Sequence, residues 1–231
     1  MFAAALSWPP WWRTELRIDV QLPQGNVEID LERQYARLYR PGDALCGIAR
    51  MPSPWPGLVL RHREADGEHF VYVEDVAARR LAGYTVFNRL VELDRRADRH
   101  LRSPHSRYAA AYQRRGIASA VYEWGLAAGM CLISGPRQSP GAHALWRSLG
   151  RRHAVVFVEL RDKAMRLIGA RVSASELDDF HTRAVMLGAG WSLEDLIART
   201  GCRLPLHASD GGGSQPSSSA MRTTIQAASG G

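Results

Sequence analysis

The sequence predicts a mixed α/β chain (α+β): a mostly antiparallel central sheet flanked by helices, followed by a C-terminal helical extension. Three observations lead there. Three strand-like runs, Leu58–Arg63, Glu68–Val76 and Arg80–Asn88, follow one another with only turn residues between them, as an antiparallel meander does. Two helical stripes, Ile117–Ala128 and Ala142–Leu149, are separated by Met130–Ser134, an apolar run of strand length. Two segments opened by serine with acidic first turns, Ser175–Leu187 and Ser192–Arg199, read as short helices.

Composition bounds the answer further. A chain of 231 residues holds one sizeable domain with appendages, and 45% hydrophobic with 23% charged residues is ordinary for a globular protein. Lys and Arg total 30 against 23 Asp and Glu, a formal charge of +7. That balance favours an anionic partner, whether nucleotide cofactor, nucleic acid or acidic surface, without choosing among them. Arginine used for solubility gives the same balance. Cys46, Cys131 and Cys202 are odd in number and fit no metal spacing, so no metal is expected and the thiols read as reduced in a cytoplasmic protein. Met1–Trp12 lacks a basic start and is broken by Pro9 and Pro10, which makes it a poor signal peptide, and no stretch approaches membrane length.

In chain order, Trp8, Trp11 and Trp12 surround two prolines and cannot be regular helix. Thr14–Leu22 alternates as a strand. Asn26–Tyr39 has helical spacing through Val27, Leu31, Tyr35 and Leu38, with Asn26 as its cap and Pro41-Gly42-Asp43 ending it. Within the meander, Ala65-Asp66-Gly67 signals a hairpin and Ala77-Ala78-Arg79 a second turn. Leu90–Arg99 is charged without a period. His100–Tyr108 reads as the next strand, with Pro104 placing a bulge or an edge there. Ala154–Leu160 is a further strand, and the tail from Ala208 is Gly/Ser-rich, of the kind expected to be disordered.

The most informative stretch is Tyr112-Gln113-Arg114-Arg115-Gly116-Ile117-Ala118. It is a strand that breaks at a glycine turn and opens a helix at once. Such a start leaves unpaired N–H groups at the positive end of the macrodipole, which suits a phosphate. The spacing resembles the pyrophosphate loop Q/R-x-x-G-x-G/A of the GNAT superfamily of N-acetyltransferases. A second match supports it: Ser139-Pro140-Gly141-Ala142-His143-Ala144-Leu145-Trp146-Arg147-Ser148-Leu149-Gly150 keeps Ala, Leu and Gly of the family's N-x-x-A-x-x-L-Y-x-x-x-G helix. The order meander, strand, loop, helix, strand, helix, strand is also the family's order. The compact design further resembles acetyltransferases encoded by phages and mobile elements.

The resemblance implies a division into residues 1–50 on the acceptor side, a core over 51–160, a helical extension over 161–207 and a tail over 208–231. It implies acetyl-CoA as co-substrate and an amine acceptor that attacks the thioester directly. Gln113, Arg114, Arg115, Gly116, Ile117 and Ala118 would hold the pyrophosphate, and the Tyr108 backbone would meet the acetyl carbonyl. Ser139 and Trp146 would complete the coenzyme side, and Ser134, Arg137 and Gln138 are candidates to line the pocket. Trp146 stands where the family often has a tyrosine acid, and indole cannot deliver a proton. The acid is then another group, water or absent. Glu74, Asp75 and His105 are the candidate bases, the first two as strand-end carboxylates and His105 for its ordinary pKa near neutrality. A charged strand end or a structural histidine explains each as well. The rival reading is a catalytically inactive module on the same scaffold that binds nucleic acid or protein. Between the two stands an acetyltransferase whose acceptor is a nucleic acid or a nucleic-acid-bound protein. No membrane partner is expected, and a dimer is one option for the assembly.

Overall fold

The computed structural model describes residues 24–205 apart from 137, 174, 177 and 178. The expected strand Thr14–Leu22, the three early tryptophans, Arg137 and the tail from Ala208 lie outside the described residues. Helix α1, Gln24–Leu38, contains Asn26, so that residue lies within the helix and is not its cap. The chain then forms β1 (Arg50–Met51), β2 (Leu58–Ala65), β3 (Glu68–Asp75) and β4 (Arg80–Asn88). The register Ala65↔Glu68 leaves Asp66 and Gly67 as a two-residue loop with φ of 53° and 75°, the left-handed pair that matches strand twist.

A short helix, α2 (Arg95–Asp98), interrupts the charged stretch, its first turn capped by Asp94, whose Oδ1 accepts from the Ala97 amide at 2.8 Å. Next come β5 (Leu101–Tyr108), α3 (Ile117–Ala127), β6 (Cys131–Ile133), α4 (Pro140–Leu149), β7 (Val155–Arg161), β8 (Ala164–Gly169), β9 (Thr182–Met186) and α5 (Leu193–Thr200). The nine strands form one sheet in the order β1-β2-β3-β4-β5-β6-β9-β7-β8, antiparallel throughout except for β5 beside β6. This is the mixed, mostly antiparallel sheet flanked by helices that the sequence predicts.

The segment after residue 160 departs from expectation. Ser175–Leu187 reads as a helix, yet Thr182–Met186 is a strand inserted between β6 and β7. Paired on both edges, with Val185 and Met186 almost fully buried, it gains ladder bonds and packing that outweigh its helical spacing. β7 and β8 form a further hairpin across Asp162 and Lys163, at φ 52° and 60°. Among the described residues, the expected helical extension thus holds the strands β8 and β9, helical residues Ser175 and Glu176, and α5, which is opened by a capping box from Ser192 and Asp195.

Three cores follow from strand alternation. One face of the sheet packs Leu60, Val71, Val73, Tyr108 and Leu132 against Ile117, Val121 and Leu126 of α3 and Trp146 and Leu149 of α4. The other packs Phe70, Tyr72, Tyr84 and Val86 against Leu31 and Leu38 of α1. Farther along that second face, Leu101, Ile133 and Val158 meet Ala97 of α2 and Leu196 of α5. Asp30 ties α1 to the sheet by accepting from Tyr84 Oη at 2.6 Å and Arg107 Nη1 at 2.9 Å.

Candidate active site

The site starts from a parting of strands. β6 pairs with β5 at Leu101 and Arg102 and no farther along the eight-residue strand. The Ala109 N–H donates to the Ala82 carbonyl at 3.0 Å, which makes 82/109 a hydrogen-bonded pair. Antiparallel alternation then turns the backbone groups of Tyr108, Ser106 and Pro104 away from β4, toward the edge that β6 has left. Pro104 thus sits in unbroken register where its missing N–H costs no ladder bond, and no bulge forms. Its carbonyl accepts from Tyr122 Oη at 3.2 Å, and the Tyr108 carbonyl accepts from Gln113 Nε2 at 2.9 Å.

At the end of β5 the chain makes a 3-10 turn, Ala110–Tyr112, and enters the loop. Arg114 is left-handed at φ 57°, and Gly116 caps α3 at φ 77°. The first helical bond runs from the Ala120 N–H to the Gly116 carbonyl at 3.0 Å, so the amides of Ile117, Ala118 and Ser119 precede the first turn's acceptors. Residues 113–116 are exposed, whereas Ile117 is buried and anchors the helix start in the core. A Cβ placed on Gly116 meets no heavy atom within 4 Å, which leaves the space over these amides open.

Beneath α3 lies a group of hydroxyls that sequence reasoning missed. Thr85 Oγ1 is 2.8 Å from Ser106 Oγ and 3.2 Å from Tyr108 Oη, and Ser106 Oγ is 3.5 Å from Tyr122 Oη. Burial pushes the Tyr122 phenol up to about 12 and raises that of Tyr108 as well, so both keep their protons near neutrality. The helical spacing predicts a stripe through Ile117, Ala120, Val121, Trp124 and Ala128, and Ile117 and Val121 are buried as expected. The other buried positions are Tyr122, Gly125 and Leu126 in place of Ala120, Trp124 and Ala128, so the buried face is turned partly toward Tyr122. Gly125 packs inward against Phe87, whose ring lies 3.0 Å from where a Cβ would stand.

The three candidate bases separate clearly. Glu74 is buried against α1's end of the sheet, with Tyr39 Oη donating to Oε1 and Arg61 Nε to Oε2 at 2.8 Å. Burial pushes its pKa up, but the bonds from Tyr39 and Arg61 and the charges of Arg61 and Arg50 outweigh that and hold it below the usual range. Asp75 closes the β3–β4 turn. It accepts from Tyr112 Oη at 2.6 Å and the Ala78 amide at 2.8 Å, bonds that lower its pKa. His105 is half-buried on the strand face opposite Ser106 and Tyr108, with Nε2 3.4 Å from Ser103 Oγ. Burial lowers its pKa, which leaves a neutral imidazole near neutral pH.

On α4, Ser139 is an exposed N-cap whose Oγ accepts from the Ala142 amide at 3.2 Å. Trp146 is 7% exposed and packs in the same core as Tyr108, Tyr112 and Ile117. Ser134 is bound into the β6–β9 junction, its Oγ accepting from the Ala184 amide at 3.0 Å. Gln138 Oε1 is buried without a partner among the described residues. The loop residues and Tyr108 are therefore gathered at one end of β5, while Glu74 and Ser139 are committed elsewhere. Among the described residues there is no cluster of three or more His, Cys, Asp or Glu able to hold a metal ion, and no helix is long and apolar enough to cross a membrane.

No family model matches the chain, and no curated protein does. Among solved structures it is similar to the ribosomal-protein-S5-alanine acetyltransferase from Vibrio fischeri, at 14% identity and a TM-score of 0.30, over 54% of this chain and 64% of that one. A point mutant of spermidine N-acetyltransferase from Vibrio cholerae gives 15% identity and a TM-score of 0.30, over 54% of this chain and 65% of that one. A chimeric form of that enzyme gives 12% identity and a TM-score of 0.31, over 72% and 90%. The chain thus spans just under two thirds of the first two.

Proposed function

We propose that the chain is an acetyl-CoA-dependent N-acyltransferase that moves an acetyl group to an amine by direct attack on the thioester. The observation that carries this reading is the open C-terminal half of β5 running into the glycine-broken loop 113–118 and the bare amides of α3. The cradle fits a pyrophosphate: three amides aim out of the helix start, Gly116 leaves the approach clear, and Arg114 and Arg115 add charge. Acetyl-CoA would supply an acetyl group activated as a thioester.

The chain's own residues then have the following work. The Tyr108 N–H, turned to the open edge of β5, is a donor for a carbonyl oxygen. His105 is the base among the three candidates, since its ring is neutral and has no ion-pair partner among the described residues, and it takes a proton from the attacking amine. Glu74 and Asp75 are held as carboxylates by donors and serve structure. Trp146 delivers no proton, so reprotonation does not come from that position of α4. The acceptor class is an amine, with nucleic acid as the alternative carrier of that amine.

Calorimetric titration with acetyl-CoA tests the reading, with Gly116→Asp as the control that puts a carboxylate into the cradle. The parent should bind and the variant should not. A parent that binds no acetyl-CoA but binds RNA or DNA with strong salt dependence would establish the inactive module instead, a reading favoured by Trp146 in the place of a proton donor and by the formal charge of +7.

A further inference from the structure

Tyr112, the last residue before the loop, is 4% exposed and held on three sides. Its hydroxyl donates to Asp75 Oδ2 at 2.6 Å and accepts from Arg80 Nε at 3.1 Å. Asp75 and Arg80 are the facing residues that close the β3–β4 turn, and Asp75 Oδ1 holds that turn through the Ala78 amide. Two guanidiniums lie over the Tyr112 ring, Arg80 at 5.4 Å and Arg115 at 5.5 Å from its centre. Both loop arginines are exposed, but Arg115 is stacked on a fixed aromatic platform, while Arg114 sits at φ 57°.

We propose that Asp75, Tyr112 and Arg80 form a positioning device for phosphate recognition, which clamps the loop to the β3–β4 turn and presents Arg115 as its phosphate ligand. The inference rests on the acetyltransferase reading. Its physical basis is preorganisation. A free arginine loses several rotamers when it binds an anion, whereas one stacked on an aromatic ring has lost part of that freedom already. The bond from the Tyr112 hydroxyl to an ionised carboxylate fixes the ring, and a fixed ring fixes the start of the turn that aims the α3 amides. Asp75 is thereby a positioning residue that acts through Tyr112. One carboxylate beside two arginines also leaves a net positive charge at the loop, the sign a phosphate needs.

The test compares coenzyme A with pantetheine, which carries the same thiol arm without phosphates, in calorimetric titrations of the full chain. Asp75→Ala and Tyr112→Ala should each weaken coenzyme A binding roughly tenfold, the scale of one ordered side chain lost. Pantetheine binding should stay at the parental value, so that the affinity ratio between the two ligands falls. Asp75→Asn should recover part of the loss, because its amide oxygen still accepts from Tyr112. Arg115→Ala should cost more than Arg114→Ala, and both exposed positions tolerate alanine even if Tyr112→Ala does not fold. Equal losses for the two arginines, or an unchanged ligand ratio in Asp75→Ala, would overturn the inference alone. A parent that fails to bind coenzyme A overturns the acetyltransferase reading and this inference with it.

Discussion

Removal of the Glu74 side chain is the sharpest test of how charge is stored in this fold. Glu74 is 1% exposed, and Arg61, whose Nε lies 2.8 Å from it, is 6% exposed. In Glu74→Ala that guanidinium stays in the interior without its counter-ion, and breaking a buried pair in this way costs about 3–5 kcal/mol. Arg61 keeps two other bonds, Nη1 to the Ile48 carbonyl at 2.6 Å and Nη2 to Tyr39 Oη at 3.1 Å, which places the loss near the lower end. Arg50, at 3.6 Å and half exposed, adds little. A loss of about 3 kcal/mol should lower the melting temperature by roughly 6–12 °C for a chain of this size. Urea denaturation followed by circular dichroism at neutral pH measures it. The sign with pH is also fixed. The folded carboxyl is held below its ordinary value, so its stabilisation is present above the ordinary glutamate range and fades as pH falls through the depressed value. Parent and variant should therefore converge in acid. A loss below about 1 kcal/mol at neutral pH, or a gap that widens in acid, would refute this reasoning.

Gly83→Ala should disturb the site directly, since its Cβ would stand 2.2 Å from Tyr108 Cδ1 and 2.5 Å from the Arg107 carbonyl. Overpacking of that kind costs about 1–3 kcal/mol, and calorimetry should show weakened acetyl-CoA binding beside a lowered melting point. For His105 the expected signature is a rate that rises with pH as the imidazole loses its proton. Burial lowers that pKa, so the midpoint should lie below the usual histidine value, and His105→Gln should remove the step from the pH–rate profile.

What was legible in the sequence is what depends on neighbours in the chain. The Asp66-Gly67 turn, the break at Gly116 and the serine cap of α5 each rest on a few adjacent residues with fixed torsional or hydrogen-bonding needs. β9 was illegible because its strand character comes from partners on β6 and β7 and not from its own spacing. The turned face of α3 has a similar cause: Tyr122 lies inward with its hydroxyl donating to the Pro104 carbonyl of β5, a partner that periodicity does not see. At the site, the loop was legible and the base was not. Glu74 and Asp75 look alike at the end of a strand, and only Arg61 on β2 and Tyr112 beyond β5 show that both are spoken for.

The late arrival of β9 bears on how the chain is made. During synthesis the meander β2–β4 can pair as soon as it emerges, but Cys131, Leu132 and Ile133, each buried completely in the finished sheet, must wait. Ser134 meets Ala184 across 50 residues of sequence. Until that segment leaves the ribosome, the edges of β6 and β7 present bare N–H and C=O groups and apolar side chains, the template on which a second nascent chain can pair. A chain stopped between residues 161 and 181 should then aggregate and not yield a smaller domain, and slow translation through that interval is where a chaperone would matter most.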